Sequence, residues 1–245
     1  MISTAPKIMP YKFILLIAML FVTVDLAAVS VAYKMVSLNF LFALNSGATF
    51  IFPMTYALGD VIAEVYGYNM AKKLIWLSLF LQFVFASLVT IVIHLPNPVY
   101  WVGDSSYLLV FGSIIKFVLA GTVANVVSNF MNVYIVSKLK IPFEGKLFWL
   151  RSLLSTVISG FFLVVIVIAI GFSGKELDLA HSLIMFKSTY SVELIYALIL
   201  VIPAALTAKF LKRVEKVDVY DVGTNFNPFN IKILRSASPS NQLDG

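Results

Sequence analysis

Six long apolar runs follow one another along the chain and are separated by short polar segments. They cover approximately residues 11–33, 48–63, 74–95, 107–136, 149–172 and 190–211. Each is close to the roughly twenty residues that an apolar helix needs to cross a bilayer. The runs lack the alternation of apolar and polar residues that is typical of a membrane β-barrel. The pattern therefore predicts an all-α membrane protein, a six-transmembrane-helix bundle, over residues 1–216.

The composition agrees with a membrane location. Hydrophobic residues make up 60% of the 245 residues and charged residues only 12%. A soluble domain of this length needs more charge to cover its surface, so the apolar excess is expected to face the lipid bilayer. The net charge of +6 does not predict nucleic acid as a partner, because the basic residues lie between apolar runs rather than on one face.

Basic residues predict the orientation of the bundle. If the ends and alternate loops are cytoplasmic, that side receives twelve basic residues and the opposite side only Lys34 and Lys175. The twelve are Lys7, Lys12, Lys72, Lys73, Lys138, Lys140, Lys146, Arg151, Lys209, Lys212, Arg213 and Lys216. This bias predicts a multi-pass protein of the inner (plasma) membrane with both termini in the cytoplasm. Residues 217–245 are polar and are expected to form a cytoplasmic tail, partly disordered at its end.

Four acidic residues fall within the apolar runs: Asp25, Asp60, Glu64 and Glu193. A charged group within hydrocarbon costs about 2.5–3.5 kcal/mol even on lenient scales, so each needs a partner or a role. Asp60 and Glu64 are four residues apart and therefore share one helix face. We favour a functional cavity for Asp25 and Asp60, whereas internal pairing and function stay equally open for Glu193. Asp25, Glu64 and Glu193 are candidates for coupling or gating.

A polar row marks the fourth run. Asn125, Asn129 and Asn132 lie at spacings of four and three residues, which places them on one helical face. Such amides can simply join helices, a use worth about 0.6 kcal/mol per bond. Three on one face exceed what helix packing requires, and a row of donors and acceptors suits a polar, uncharged solute. We favour the solute interpretation and treat all three as candidate substrate-binding residues.

Enzymatic chemistry has little support in the sequence. The two histidines, His94 and His181, belong to no metal-binding motif, and the chain has no cysteine. A phosphate-binding loop of the form G-x-x-x-x-G-K-[ST] is also absent, so ATP hydrolysis by that mechanism is excluded. We expect no catalytic residues, no metal site and no cofactor.

One segment resembles a known family. Residues 59–67, Gly-Asp-Val-Ile-Ala-Glu-Val-Tyr-Gly, resemble the signature of the YhhQ-type queuosine precursor transporters, also called the vitamin uptake transporter family. Residues 52–53 and 71–73 belong to the same signature. Residues 132–140, 149–156 and 193–203 resemble the family in order and spacing, so that the resemblance covers approximately residues 11–216.

The resemblance implies a function. The family is similar to the six-helix substrate-binding subunits of vitamin importers and is associated with uptake of 7-cyano-7-deazaguanine or 7-aminomethyl-7-deazaguanine. For such a purine-like solute, Asp60 is expected to accept hydrogen bonds from the base, and Asn129 or Asn132 to meet its edge acceptors. Phe52 or Tyr56 is expected to stack on its flat face.

Four positions depart from the family pattern. Asn132 stands where the family has an aspartate, Gly160 and Leu163 where it has a polar pair, and Glu193 where it has a lysine. These departures imply a changed solute or a changed coupling ion.

Two energy sources stay open: proton exchange at Asp25, Asp60 or Glu64, and a separate ATPase module docked on the bundle. The alternative function is a non-transporting membrane receptor or assembly factor, in which the polar residues only hold helices together. The sequence does not define an oligomeric state.

Overall fold

The computed structural model describes residues 11–38, 42–171 and 179–230. This part of the chain is mainly helical. The helices are α1 (Ile14–Ser30), α2 (Pro53–Tyr66), α3 (Tyr68–Ile93), α4 (Asp104–Phe111), α5 (Ile114–Lys140), α6 (Phe148–Gly171) and α7 (Leu179–Glu215). Lys7, Lys175 and the predicted tail beyond residue 230 lie outside the described residues.

Within the described residues, four helical segments are long and apolar enough to cross a membrane. They are Tyr68–Ile93, Asp104–Lys140, Phe148–Ile170 and Leu179–Glu215. Helix α1 is apolar but has only 17 residues, and α2 has 14 residues, which at 1.5 Å per residue gives about 21 Å. The prediction of a helical membrane protein is thus confirmed, whereas length and composition by themselves support four spans rather than six.

Two helices differ from the predicted runs. The fourth run is divided, because α4 ends at Phe111 and α5 begins only at Ile114. Helix α7 begins at Leu179 instead of near residue 190. Glu193 therefore lies well inside a helix and not near its outer end, and its carboxyl group needs an explanation within the bundle.

A short hairpin, which the sequence pattern did not predict, joins α1 to α2. Strands β1 (Met35–Leu38) and β2 (Phe42–Ser46) pair antiparallel and lead into a 3₁₀ helix, Gly47–Phe50. The amide of Gly47 donates to the carbonyl of Lys34 over 2.7 Å, and a Cβ atom at position 47 would lie only 2.6 Å from the carbonyl oxygen of Val31. The hairpin is a small addition to an otherwise helical fold, and the close backbone approach at Gly47 favours a turn where the hairpin meets the 3₁₀ helix.

The bundle has two distinct ends. Helices α1, α3 and α6 finish near the hairpin, at what we call the hairpin end, whereas α2, α5 and α7 finish at the opposite tail end. The largest hydrophobic core is built from residues of α1, α2, α3, α5 and α7, and many large apolar side chains outside it are exposed. Such an exposed apolar surface is expected where helices face lipid.

The first part of the tail is ordered against the tail end. Residues 217–230, here called the tail strap, follow α7 and cross the junction between α2 and α3. Asp221 Oδ2 accepts a hydrogen bond from the backbone N–H of Tyr68 over 2.9 Å, and Trp76 Nε1 donates to the carbonyl of Pro228 over 2.8 Å. Gly67 has a φ of 83°, and a side chain there would meet Val219 of the strap. The strap is therefore packed on the bundle and not only a solvated extension.

Asp221→Ala is expected to loosen the strap. The change removes the acceptor of the first backbone N–H of α3, a helix-capping contact worth about 1–2 kcal/mol. Limited proteolysis of the detergent-solubilised protein should then cut residues 217–230 faster than in the wild type. Val222→Ala is the matched control, because Val222 lies in the same strap and its side chain is exposed. Equal cleavage rates for the two variants would contradict a role of Asp221 in holding the strap.

Candidate functional site

Helix α2 carries the two carboxylates of the predicted signature. Pro53 stands in its first turn, where a missing backbone N–H costs nothing. Asp60 and Glu64 follow on one face, and both side chains are buried. The shared face agrees with their spacing in the sequence. In the structure, however, the two carboxylates have different hydrogen-bond partners and therefore different roles.

Asp60 lies at a closed junction of three helices. Its Oδ1 accepts a hydrogen bond from Asn132 Nδ2 of α5 over 2.5 Å, and its Oδ2 accepts one from Ser152 Oγ of α6 over 2.5 Å. Ser159 Oγ donates in turn to Asn132 Oδ1 over 3.2 Å. Asp60 and Asn132, both expected to contact a solute, thus contact each other in this conformation.

Glu64 lies one turn further along and is an ion-pair centre. Arg151 binds it with two nitrogens, Nη1 to Oε2 over 2.8 Å and Nη2 to Oε1 over 3.1 Å. Lys212 Nζ donates to Oε1 over 2.6 Å. Because α6 supplies the arginine and α7 the lysine, the carboxylate of Glu64 joins α2 to both helices at the tail end.

Lys140 extends this centre to the tail strap. Its ammonium donates to the backbone carbonyl of Glu64 over 2.6 Å, to Asp218 Oδ1 over 2.5 Å and to the carbonyl of Val219 over 2.7 Å. Burial alone would raise the pKa of Asp218, but hydrogen bonds from Lys140 and Lys212 outweigh it and lower the pKa below its usual value. Asp218 is therefore ionised at neutral pH.

We call Glu64, Lys140, Arg151, Lys212 and Asp218 the Glu64 cluster. Three basic and two acidic groups meet in it, and the side chains of Arg151 and Lys140 are fully buried. The three basic residues were first counted only as markers of orientation. They are also the partners that allow Glu64 to be buried as an anion. The cluster closes the tail end of the bundle.

A cavity lies at the opposite, hairpin end. It has a volume of about 110 Å³ and lies between α1, the 3₁₀ helix, α3, α5, α6 and α7. Most of its lining is apolar, as in many small-molecule sites. Four of the predicted site residues line it, namely Asp25, Phe52, Asn125 and Glu193. The structure thus brings together residues that are up to 168 positions apart in the sequence.

Several polar groups of the cavity lack a protein partner. Asp25 accepts a hydrogen bond from Ser78 Oγ of α3. Gln82 lies beside Asp25, but among the described residues neither of its amide atoms makes a hydrogen bond of regular geometry, and Oε2 of Glu193 has no partner. Both side chains are buried. Buried polar groups are normally paired, so these atoms are available to a bound molecule.

The other predicted site residues lie outside the cavity. The asparagine row is divided, since Asn125 lines the cavity, Asn132 binds Asp60, and the buried Asn129 lies between them along α5. Tyr56 packs edge-on against Phe52, with ring centroids 5.4 Å apart, and faces a separate small space beside Ser152. A single pocket that includes all the predicted substrate-binding residues is therefore absent from the described part of the chain.

Sequence reasoning missed three residues that the structure places at these sites. Ser78 and Gln82 are one turn apart on α3, and Ser152 lies on α6. Gln82 is a single amide in the middle of an otherwise apolar run, and this signal could have revealed it. Ser78 and Ser152 offered no comparable signal, because serines are common in membrane helices and their partners lie on other helices.

Three of the four departures from the family pattern meet at the cavity. Leu163 and Glu193 line it, and the carboxylate of Glu193 lies directly against Gly160, where any larger residue would collide with Oε2. The fourth, Asn132, is the partner of Asp60. These positions are thus concentrated at the cavity and at the Asp60 junction.

Comparison with known proteins identifies the family. A family model described as "Putative vitamin uptake transporter" matches residues 46–208, about two thirds of the chain, including α2 and its two carboxylates. Searches of curated proteins and of solved structures gave no match. The vitamin uptake transporter family inferred from residues 59–67 is confirmed at this level. The chain is a multi-pass helical membrane protein that belongs to the vitamin uptake transporter family.

Proposed function

We propose that this protein is an inner-membrane carrier that imports a queuosine precursor, 7-cyano-7-deazaguanine or 7-aminomethyl-7-deazaguanine, or a related purine-like solute. The observation that carries the proposal is a cavity with unpaired polar groups inside an apolar helical bundle. Unpaired polar groups in a buried cavity are costly for a protein that only needs to hold its helices together. They are expected in a protein through which a polar solute passes.

The proposed orientation of the bundle determines which side of the membrane the cavity faces. In the proposed topology α1 and α2 are spans like the four longer segments, and both termini are cytoplasmic. The hairpin end then faces outwards and the tail end inwards. The cavity belongs to the outer half, and the Glu64 cluster with the tail strap covers the inner end. With this topology, the proposal assigns the described conformation to an outward-facing carrier.

Release of the solute requires a rearrangement at the tail end. Between the cavity and the cytoplasm stand the Asp60 junction and then the Glu64 cluster, which together tie α2 to α5, α6 and α7. In alternating access, one set of contacts separates while another forms. We propose that the Glu64 cluster acts as the inner gate and that Asp60 and Asn132 exchange their mutual hydrogen bond for contacts with the solute.

The energy source belongs to the same proposal. Asp25 and Glu193 face the cavity and are placed to exchange protons with a solute-bound state, which would couple import to the proton gradient. Coupling through a separate ATPase module requires a partner protein. Dissipation of the proton gradient in intact cells distinguishes the two energy sources. At constant ATP concentration it should stop uptake only if uptake is coupled to protons.

Complementation tests the proposed function. A host that lacks both its own carrier and the synthesis of the precursor should regain queuosine-modified tRNA when it expresses this protein and receives external 7-cyano-7-deazaguanine or 7-aminomethyl-7-deazaguanine. The measurement is the fraction of queuosine in tRNA by mass spectrometry. Absence of modified tRNA, despite protein in the membrane, would contradict the cargo. Absence of any binding by the purified protein as well would favour the receptor or assembly function.

A further inference from the structure

The cavity contains acidic side chains but no basic ones among its described lining. Two acidic side chains, Asp25 and Glu193, line it, whereas the described lining contains no lysine, arginine or histidine. The lysines on the adjoining segments, Lys34, Lys116 and Lys187, are all exposed. No basic side chain in the described lining can therefore neutralise the two carboxyl groups within the cavity.

The polar atoms around these carboxyl groups are incompletely paired. Ser78 binds Asp25 from α3, but among the described residues Oε2 of Glu193 has no hydrogen-bond partner and neither amide atom of Gln82 makes a hydrogen bond of regular geometry. An unpaired buried carboxylate is strongly unfavourable, and a cation with N–H donors would remove that penalty. Gln82 adds an acceptor and a donor that suit the edge of a heterocycle.

Gly160 gives the carboxyl group of Glu193 its position. A Cβ atom at residue 160 would collide with Oε2 of Glu193. The absence of a side chain on α6 thus allows the carboxyl group to lie against the helix backbone at the cavity. Gly160 and Glu193 function as a pair, one providing space and the other a negative charge.

We propose that Asp25 and Glu193 form an ammonium-binding site, so that the cavity selects a flat heterocycle with a protonated primary amine over its uncharged analogue. In this proposal the ammonium group binds the acidic side chains of the cavity, the ring edge meets Gln82 and Asn125, and Phe52 contacts the ring face; all five residues line the same cavity. This inference rests on the proposed carrier function and narrows it. Of the two deazaguanines, the aminomethyl form carries the required charge and the cyano form does not.

Binding to the purified full-length protein in lipid nanodiscs tests the selectivity. Isothermal titration with 7-aminomethyl-7-deazaguanine and 7-cyano-7-deazaguanine compares a cation with a neutral molecule on the same ring. We expect the amine to bind about tenfold more tightly or better, since loss of a buried charge pair generally costs at least that factor. Glu193→Gln should remove this preference while leaving the affinity for the cyano compound nearly unchanged.

A pair of glycine variants provides a matched control. Gly160→Ala keeps every charge but displaces the carboxyl group of Glu193, so the preference for the amine should fall. Gly59→Ala adds the same methyl group on α2, outside the cavity lining and at an ordinary contact distance of 3.7 Å from Val133, and should bind like the wild type. Equal effects of the two variants, or a full preference for the amine in Glu193→Gln, would overturn the ammonium site.

A second pair of probes tests the ammonium site independently of the identity of the cargo. Tryptamine and its uncharged analogue tryptophol carry the same charge contrast on a different ring. If neither deazaguanine binds but tryptamine is favoured over tryptophol, only the cargo is wrong. If both deazaguanines bind equally, the carrier proposal stands and the ammonium site is wrong.

Discussion

Glu64→Gln is expected to cause the largest loss of stability of any single substitution at the tail end. The glutamine keeps the shape of the side chain but leaves Arg151, whose side chain is fully buried, without a carboxylate. Removal of one partner from a buried ion pair costs about 3–5 kcal/mol, because the remaining charge stays buried and uncompensated. Lys140 and Lys212 would then share Asp218 as their only acidic partner in the Glu64 cluster.

The free energy of unfolding measures this effect. Detergent-solubilised protein can be unfolded with increasing mole fractions of sodium dodecyl sulfate and followed by tryptophan emission. Glu144→Gln is the control, since Glu144 pairs with Lys146 and both side chains are about three quarters exposed. Exposed pairs of this kind contribute about 0–1 kcal/mol. Similar losses for both variants would show that the Glu64 cluster does not hold the tail end together.

A double variant sharpens the interpretation. Combining Glu64→Gln with Arg151→Met removes both the carboxylate and its buried cationic partner. The double variant should be more stable than Glu64→Gln alone, because the uncompensated charge is gone. A double variant that is less stable by the full sum of the two single losses would indicate that the two residues act independently.

Asp60→Asn is expected to reduce uptake of the precursor by about tenfold or more, equivalent to about 1.4 kcal/mol, while the protein still reaches the membrane. Asp60 accepts hydrogen bonds from both Asn132 and Ser152. An asparagine offers only one acceptor atom in its side chain, so one of these hydrogen bonds is lost. Ser152 can rotate its hydroxyl group to accept instead, which is why folding should survive.

Initial uptake rates, normalised to the amount of protein in the membrane, provide the measurement. Asp104→Asn makes the same chemical change at the first turn of α4, outside both polar sites, and should transport normally. Normal uptake by Asp60→Asn would remove Asp60 from the solute pathway and would leave it a purely structural link between α2, α5 and α6.

Features that depend on local sequence were predictable. The apolar runs correspond to helices because a helix that crosses a bilayer requires a continuous stretch of apolar residues, which the sequence shows directly. The shared face of Asp60 and Glu64 follows from helical spacing alone, and the motif around them was sufficient to identify the family.

Features that depend on partners from distant segments were not predictable. The spacing of Asn125, Asn129 and Asn132 gives one helical face, but only the packing of α6 and α7 decides which of them meets the cavity. The hairpin escaped detection because residues 35–46 are apolar like a span. Arg151 was assigned to topology because a sequence carries no information that its charge is buried against Glu64.

The contact between Trp76 and the tail strap gives the protein an internal optical reporter. The indole of Trp76 donates to Pro228 and packs near Phe229, whereas the other two tryptophans, Trp101 and Trp149, are about half exposed on the surface. Departure of the strap would expose one indole to water and shift its emission to the red. Fluorescence recorded during solute exchange would therefore time the release of the tail strap without any attached dye.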